Sequence, residues 1–215
     1  MEICFDSLPN QIYKTLREDI LLGVYPPGEK LLLRNLQERF KVSNTPIREA
    51  LTRLVQDRYA EHISNQGVRV TELSAKDVEH LLDLRCACDC LAVEKVIELP
   101  DKRPLIRELQ EAIQKQIVFS QGVGDSQEEY SLICYGLHNT LCRYTENPWL
   151  IECTTLYNDL LFLADSRTNM GVYPIEAIDE HKAIVDAIIT GDKVLAISAV
   201  RRHREQEGAR FAVSM

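Results

Sequence analysis

The sequence predicts a mainly α chain: an N-terminal winged helix-turn-helix with a small β-hairpin over residues 1–73, then a C-terminal six-helix antiparallel bundle over 74–215. Three observations predict it. Apolar residues recur at helical spacing over most of the chain. The period changes once, to alternation, in YAEHI and VRVTEL around Ser64, Asn65, Gln66 and Gly67, which is hairpin-turn chemistry. Segments rich in proline, glycine and aspartate separate the helical runs. With 215 residues, 45% of them hydrophobic, the chain can bury a sizeable core.

In NQIYKTLREDILLG, Ile12, Leu16, Ile20 and Leu21 form one helical face that Gly23 ends. VYPPGEKL breaks the chain. A short helix over Arg34 to Phe40 buries Leu36 and Phe40, Lys41 to Ser43 make a tight turn, and a third helix from about Thr45 to Asp57 turns Ile47, Ala50, Leu51 and Leu54 inward. The hairpin completes a winged domain. A short linker near Thr71 to Ser74 leads to helices over roughly 75–98, 102–120, 127–144, 148–167, 175–190 and 193–212, broken at ELPDKRP, QGVGDSQ, TENP, TNMGVYP and TGD. Ser74 with Asp77, and Ser126 with Glu129, are capping-box patterns in which hydroxyl and carboxylate satisfy the free amides of a first turn.

Composition narrows the function classes. No run approaches the roughly 18 apolar residues of a membrane span, and MEICFDSLPN lacks the basic start and apolar segment of a secretion signal. A cytoplasmic location is expected, with the seven cysteines as reduced thiols. In RCACDC only Cys86 and Cys90 share a helix face, so this cluster makes a poor metal knuckle and reads as small buried packing. The net charge of −8 is uneven: Asn10 to Glu72 carries ten Lys or Arg against eight Asp or Glu, whereas the chain after Glu72 carries fifteen against twenty-three. A nucleic-acid face depends on where cations sit, so the total excludes little.

KVSNTPIREALTRL carries the first functional reading. The second helix of a helix-turn-helix enters the major groove by its N-terminal end, where short polar side chains can reach phosphates and base edges. Ser43, Asn44, Thr45 and Arg48 meet that need, and Pro46 tolerates a first turn because its missing amide would be unpaired there. Arg34 can reach the backbone or a base, and the Gly67 hairpin tip can approach the minor groove. S-N-T-P alone is an ordinary capped helix start; together with the turn and the hairpin it reads as a DNA-binding domain.

From VYPPGEKL through LQERFKVSNTPIREALTRLVQDRYAEHISNQGVRV, the chain resembles the DNA-binding domain of GntR-type bacterial transcription regulators, most specifically in V-S-x-T-P-[IV]-R-E-A-L. The family position held here by Asn44 is commonly an arginine that reads guanine. Asn44 suits adenine instead, through its N6 and N7, which implies an operator that differs at that base. Leu32 and Leu33 replace the family's acidic or hydroxylic residues, and nothing in the sequence explains them.

The second reading rests on His138, His181 and His203, each on an inward stripe of a separate C-terminal helix. His181 continues Ile178, Val185 and Ile188, and His203 continues Ala196, Ala199, Val200 and Phe211. One inward histidine is ordinarily a hydrogen-bonded core residue; three converging imidazoles suit a divalent transition metal, zinc or alternatively nickel. Cys134 lies one helical step before His138 and can face the same ion.

DLRCACDCLAVE, H-x-x-L followed by ENPWL, EHKAIVDAIITGD and RRH make this half similar to the FCD-type effector domain of the FadR-like branch, in its shorter VanR-like form. The resemblance implies a homodimer on a palindromic double-stranded DNA operator, and a bundle metal that helps hold a small organic acid. Metal-binding members have an aspartate four residues before the first histidine, where this chain has Cys134. Either the thiolate is a ligand, making the site softer and more zinc-like, or it is a buried spectator beside three imidazoles. Arg85 matches the family's arginine near the first bundle helix, either paired with the acid or facing solvent.

A one-component transcription regulator is therefore expected. Its rivals are a regulator for which the metal itself is the signal, and a mononuclear metal hydrolase. A di-iron site is excluded by Ile178 and Val200, which stand where paired Glu-x-x-His motifs need glutamate.

Overall fold

A computed structural model describes residues 6–64, 66–122, 127–165 and 174–214. The chain divides into two compact units, Met1–Leu73 and Ser74–Met215.

In the first unit, α1 (Leu8–Leu21) opens with a proline in its first turn, where the absent amide needs no partner. Its inward face is Ile12, Tyr13, Leu16 and Ile20. Each fully buried aliphatic side chain of this kind contributes roughly 1.5–3 kcal/mol. The face packs on α3 (Asn44–Gln56), which returns Ile47, Ala50, Leu51 and Leu54. Between them α2 (Leu33–Phe40) buries Leu36, while Phe40, expected inside, is half-exposed at the last position before the turn. That turn is sharp because Lys41 adopts a left-handed conformation with φ 54° and caps α2 through its amide to Gln37.

β1 (Ala60–Ile63) and β2 (Gly67–Val70) pair antiparallel, Ala60 opposite Val70 and Ile63 opposite Gly67. A bridge between Lys30 and Arg69 adds the loop before α2 to the hairpin edge. Two buried-side polar links fix α1 to the rest: Tyr13 donates to Asp57 at 2.6 Å, and Arg17 donates to the Tyr59 hydroxyl at 2.9 Å.

The second unit is a bundle of α4 (Ala75–Ile97), α5 (Arg103–Ser120), α6 (Gln127–Arg143), α7 (Pro148–Asp165), α8 (Ile175–Thr190) and α9 (Lys193–Ser214). The six expected helices are all present. Ser74 and Asp77 form the expected capping box at the start of α4; Ser126, of the second such pattern, lies outside the described residues. Gly191, left-handed at φ 74°, ends α8 and allows the tight turn into α9. α4 packs against α6, α7, α8 and α9, so side chains from four helices face it. No helix among the described residues is long and apolar enough to cross a membrane.

Candidate metal centre and nucleic-acid interface

On the first unit, the candidate DNA-reading residues come to one exposed end of α3. Ser43 takes the N-cap position in extended conformation without spending its hydroxyl on a cap. Ser43, Asn44, Thr45 and Arg48 are all exposed, so short donors, free helix-start amides and one cation point outward together. Arg34, exposed at the start of α2, pairs with Glu38 at 3.1 Å, a surface contact worth at most about 1 kcal/mol that DNA can displace. Gly67 has φ +94° with nothing within 4 Å of where a Cβ would stand, so the hairpin tip has room for close approach. Lys30, which the sequence reading did not single out, reaches Gln66 beside that tip at 2.7 Å; its place follows from the bridge to Arg69 and has no motif to announce it.

Inside the bundle three imidazoles meet: His138 from α6, His181 from α8 and His203 from α9, at 2%, 1% and 3% exposure. Ring centroids are 5.3, 5.2 and 4.6 Å apart, and one nitrogen from each lies within 4.8 Å of the other two. The apolar stripes on α8 and α9 carry His181 and His203 inward, as their spacing predicts.

Each ring is oriented through Nδ1. That of His138 lies 2.8 Å from Asp89 on α4, that of His181 lies 2.9 Å from Gln116 Oε1 on α5, and that of His203 lies 2.7 Å from Glu180 on α8. Ionised carboxylates only accept hydrogen bonds. Gln116 donates its amide nitrogen to the Ile133 carbonyl at 3.1 Å, which leaves its oxygen for His181. All three Nδ1 atoms are therefore donors, which leaves the lone pair of each ring on Nε2, the nitrogen that could bind a cation.

The electrostatics agree. Burial, then neighbouring cationic groups, holds His138 and His181 well below the usual imidazole range. Burial also lowers His203, with Glu180 opposing. The rings are thus neutral at neutral pH and need lose no proton to bind a metal. Burial pushes the Asp89 carboxyl up to about 6, against the charges of Arg85 and His203. Although burial raises Glu180, hydrogen bonds from Arg210 at 2.6 and 2.9 Å and from His203 hold it below the usual carboxylate range.

The Nε2 atoms of His181 and His203 are 3.4 Å apart. With both Nδ1 atoms protonated, no proton lies between them. Two nitrogens about 2.0–2.1 Å from one tetrahedral zinc are separated by about the same distance. The donor set fits a divalent ion such as zinc or nickel.

Cys134 is half-buried and does not join this group. The imidazoles are instead surrounded by Asp89 on α4, Gln116 on α5, Glu180 on α8 and, one turn along the same helix as His203, Glu207. Arg85 is 1% exposed, so the solvent-facing alternative fails. It pairs with Glu207, stands 3.9 Å from Asp89, and stacks 5.8 Å from the Tyr135 ring centre. Its Nε and Nη1 are buried without a hydrogen-bond partner, which a bound carboxylate would supply.

The RCACDC cysteines are not core packing: Cys86, Cys88 and Cys90 are all part-exposed, because this stretch of α4 turns its inward face to Arg85, Asp89 and Ala92. A hydrogen bond from Cys86 and the nearby Arg201 lower the Cys90 thiol to about 7. Cys86 and Cys88 are pushed up, and burial raises Cys142 to about 12.

Residues 8–70 match the family model "Bacterial regulatory proteins, gntR family", and residues 80–206 match the FCD domain. Among curated proteins the chain is 28% identical to the HTH-type transcriptional regulator YdhC of Bacillus subtilis, over 90% of this chain and 86% of that one. It is 24% identical to the transcriptional repressor GlaR of Escherichia coli, over 89% and 90%. In fold it is similar to a GntR transcriptional regulator from Rhodococcus sp. RHA1 (TM-score 0.82, 20% identity, 98% and 100% covered) and to McbR/YncC of E. coli (TM-score 0.77, 22% identity, 97% and 98% covered).

Proposed function

Since the chain belongs to the gntR family of bacterial regulatory proteins and carries an FCD domain, it is a DNA-binding transcriptional regulator and not an enzyme, and we propose that a small carboxylate, held at a metal ion among His138, His181 and His203, sets its operator binding. The observation that carries the proposal is the orientation of the three rings: every Nδ1 is fixed as a donor, and the Nε2 lone pairs converge. Zinc is the favoured ion and nickel the alternative. When bound, the metal supplies a Lewis-acidic anchor for a carboxylate oxygen. The chain's own part is to present Arg85 to the other end of that carboxylate and to keep water out of the site.

Ser43, Asn44, Thr45 and Arg48, with Arg34 and Gly67 beside them, are proposed to contact the operator. Two copies of the chain reading a palindrome about one helical turn across would account for how a single short helix reaches useful specificity. The carboxylate regulates only if it prefers one arrangement of those two heads over the other.

Elemental mass spectrometry of untagged protein tests the metal, and operator binding with and without a panel of small carboxylates tests the effector. About one zinc or nickel per chain, with a carboxylate-dependent change in operator affinity, is expected. Protein without metal whose operator affinity ignores every carboxylate would overturn the proposal.

A further inference from the structure

Resting on the metal and carboxylate reading above, we propose that Glu207 is a built-in competitor for the effector's seat. Its carboxylate occupies Arg85 while the site is empty of ligand, and only an anionic ligand can displace it.

The geometry centres on one oxygen. Glu207 Oε2 forms an ion pair with Arg85 Nη2, and the same oxygen is 3.7 Å from Nε2 of His203, the nitrogen that faces the metal position. A ligand carboxylate bridging guanidinium and metal would put an oxygen in the same place. Glu207 therefore imitates the ligand, from one helical turn beyond His203 on α9.

Two further observations favour a movable competitor over a fixed structural pair. Arg85 is only partly served: Nη2 has Glu207, while Nε and Nη1 are buried without hydrogen-bond partners and Asp89 stands off at 3.9 Å. Its side chain is 2% exposed against 14% for Glu207, so the glutamate lies at the rim and the arginine does not. On exchange the glutamate can turn toward solvent, and the arginine cannot follow.

Selectivity follows from charge. A buried guanidinium left without an anion is strongly disfavoured. A neutral ligand would have to leave Glu207 in place or strand Arg85, whereas a carboxylate replaces one negative charge with another. Glu207 thus excludes neutral analogues and weakens every acid by the free energy of its own release.

Isothermal titration of the zinc-loaded full chain with acetate, and with acetamide as its neutral counterpart, tests this. Glu207→Gln removes the charge at nearly constant shape. It is expected to keep about one zinc per chain and to bind acetate about tenfold or more tightly than the wild type, and Glu207→Asp, with shorter reach, to fall between. Unchanged or weaker acetate binding in a zinc-retaining Glu207→Gln protein would overturn the proposal. So would loss of zinc in that variant, which would make Glu207 a metal ligand. Failure of the metal reading shows separately, as a wild type without zinc; Glu207 then still competes if Glu207→Gln tightens and Arg85→Gln abolishes acetate binding. Should Glu207→Gln prove unfolded by circular dichroism, Glu207→Asp decides alone: affinity equal to the wild type refutes competition.

Discussion

The two units bury opposite kinds of residue. Among the described residues, the first unit's core contains no buried side chain more polar than Tyr13 and Tyr59, and its polar reading residues stand outside on α3. The bundle buries Arg85, Asp89, Gln116, His138, Thr154, Asn158, His181 and His203. Unpaired polar groups are unfavourable in an interior, so such a concentration persists only where the groups satisfy one another or await a partner. The reading head meets its ligand across a surface and needs an inert core. The proposed ligand of the bundle would be enclosed, which would make that polar core its site.

Substitutions can break that contrast. The largest effect is expected from His181→Ala, which removes one of three imidazoles: metal content should fall from about one per chain to nearly none, read by elemental analysis, while the isolated operator interaction of the metal-free protein persists. Next, Leu16→Ala empties a fully buried position of the first unit; urea unfolding should show a loss of about 2–5 kcal/mol with metal content unchanged. Third, Asn44→Arg should shift the selected operator base from adenine toward guanine, by about 1–3 kcal/mol of discrimination in competition binding. Selection of the same site from a random DNA pool would refute that role. Fourth, Glu180→Gln loosens the hydrogen bond that orients His203 and should weaken zinc binding about 10–100-fold by chelator competition, without abolishing it. Smallest, Arg48→Ala should weaken all sequences alike and lower the salt slope of DNA binding by about one, if Arg48 contacts phosphate.

What the sequence revealed depended on periodicity. The helices, the hairpin and the inward direction of His181 and His203 follow from spacing along single elements, and local rules govern such spacing. The partners that orient the rings do not. Asp89, Gln116 and Glu180 each meet a histidine from a different helix, and only packing decides which turn of one helix faces which turn of another. A faint signal was present in α5, where Gln116 interrupts the buried run of Leu105, Leu109 and Ile113. Cys134 drew attention for the opposite reason: its spacing relates it to His138 along one helix, yet the carboxylate beside that ring comes from α4. Phe40 shows the limit at an element end, where the turn at Lys41 leaves the ring half outside.

The Cys86–Cys90 pair has a practical consequence. The hydrogen bond from Cys86 and the charge of Arg201 lower the Cys90 thiol, so it ionises more readily than Cys86, Cys88 and Cys142, which are all pushed up. An electrophilic dye applied near pH 7 should label Cys90 ahead of those three. Cys90 follows Asp89 directly on α4, so the chain carries its own attachment point for a fluorescent reporter on the helix that lines the proposed effector site. Binding could then be followed in real time without operator DNA in the assay.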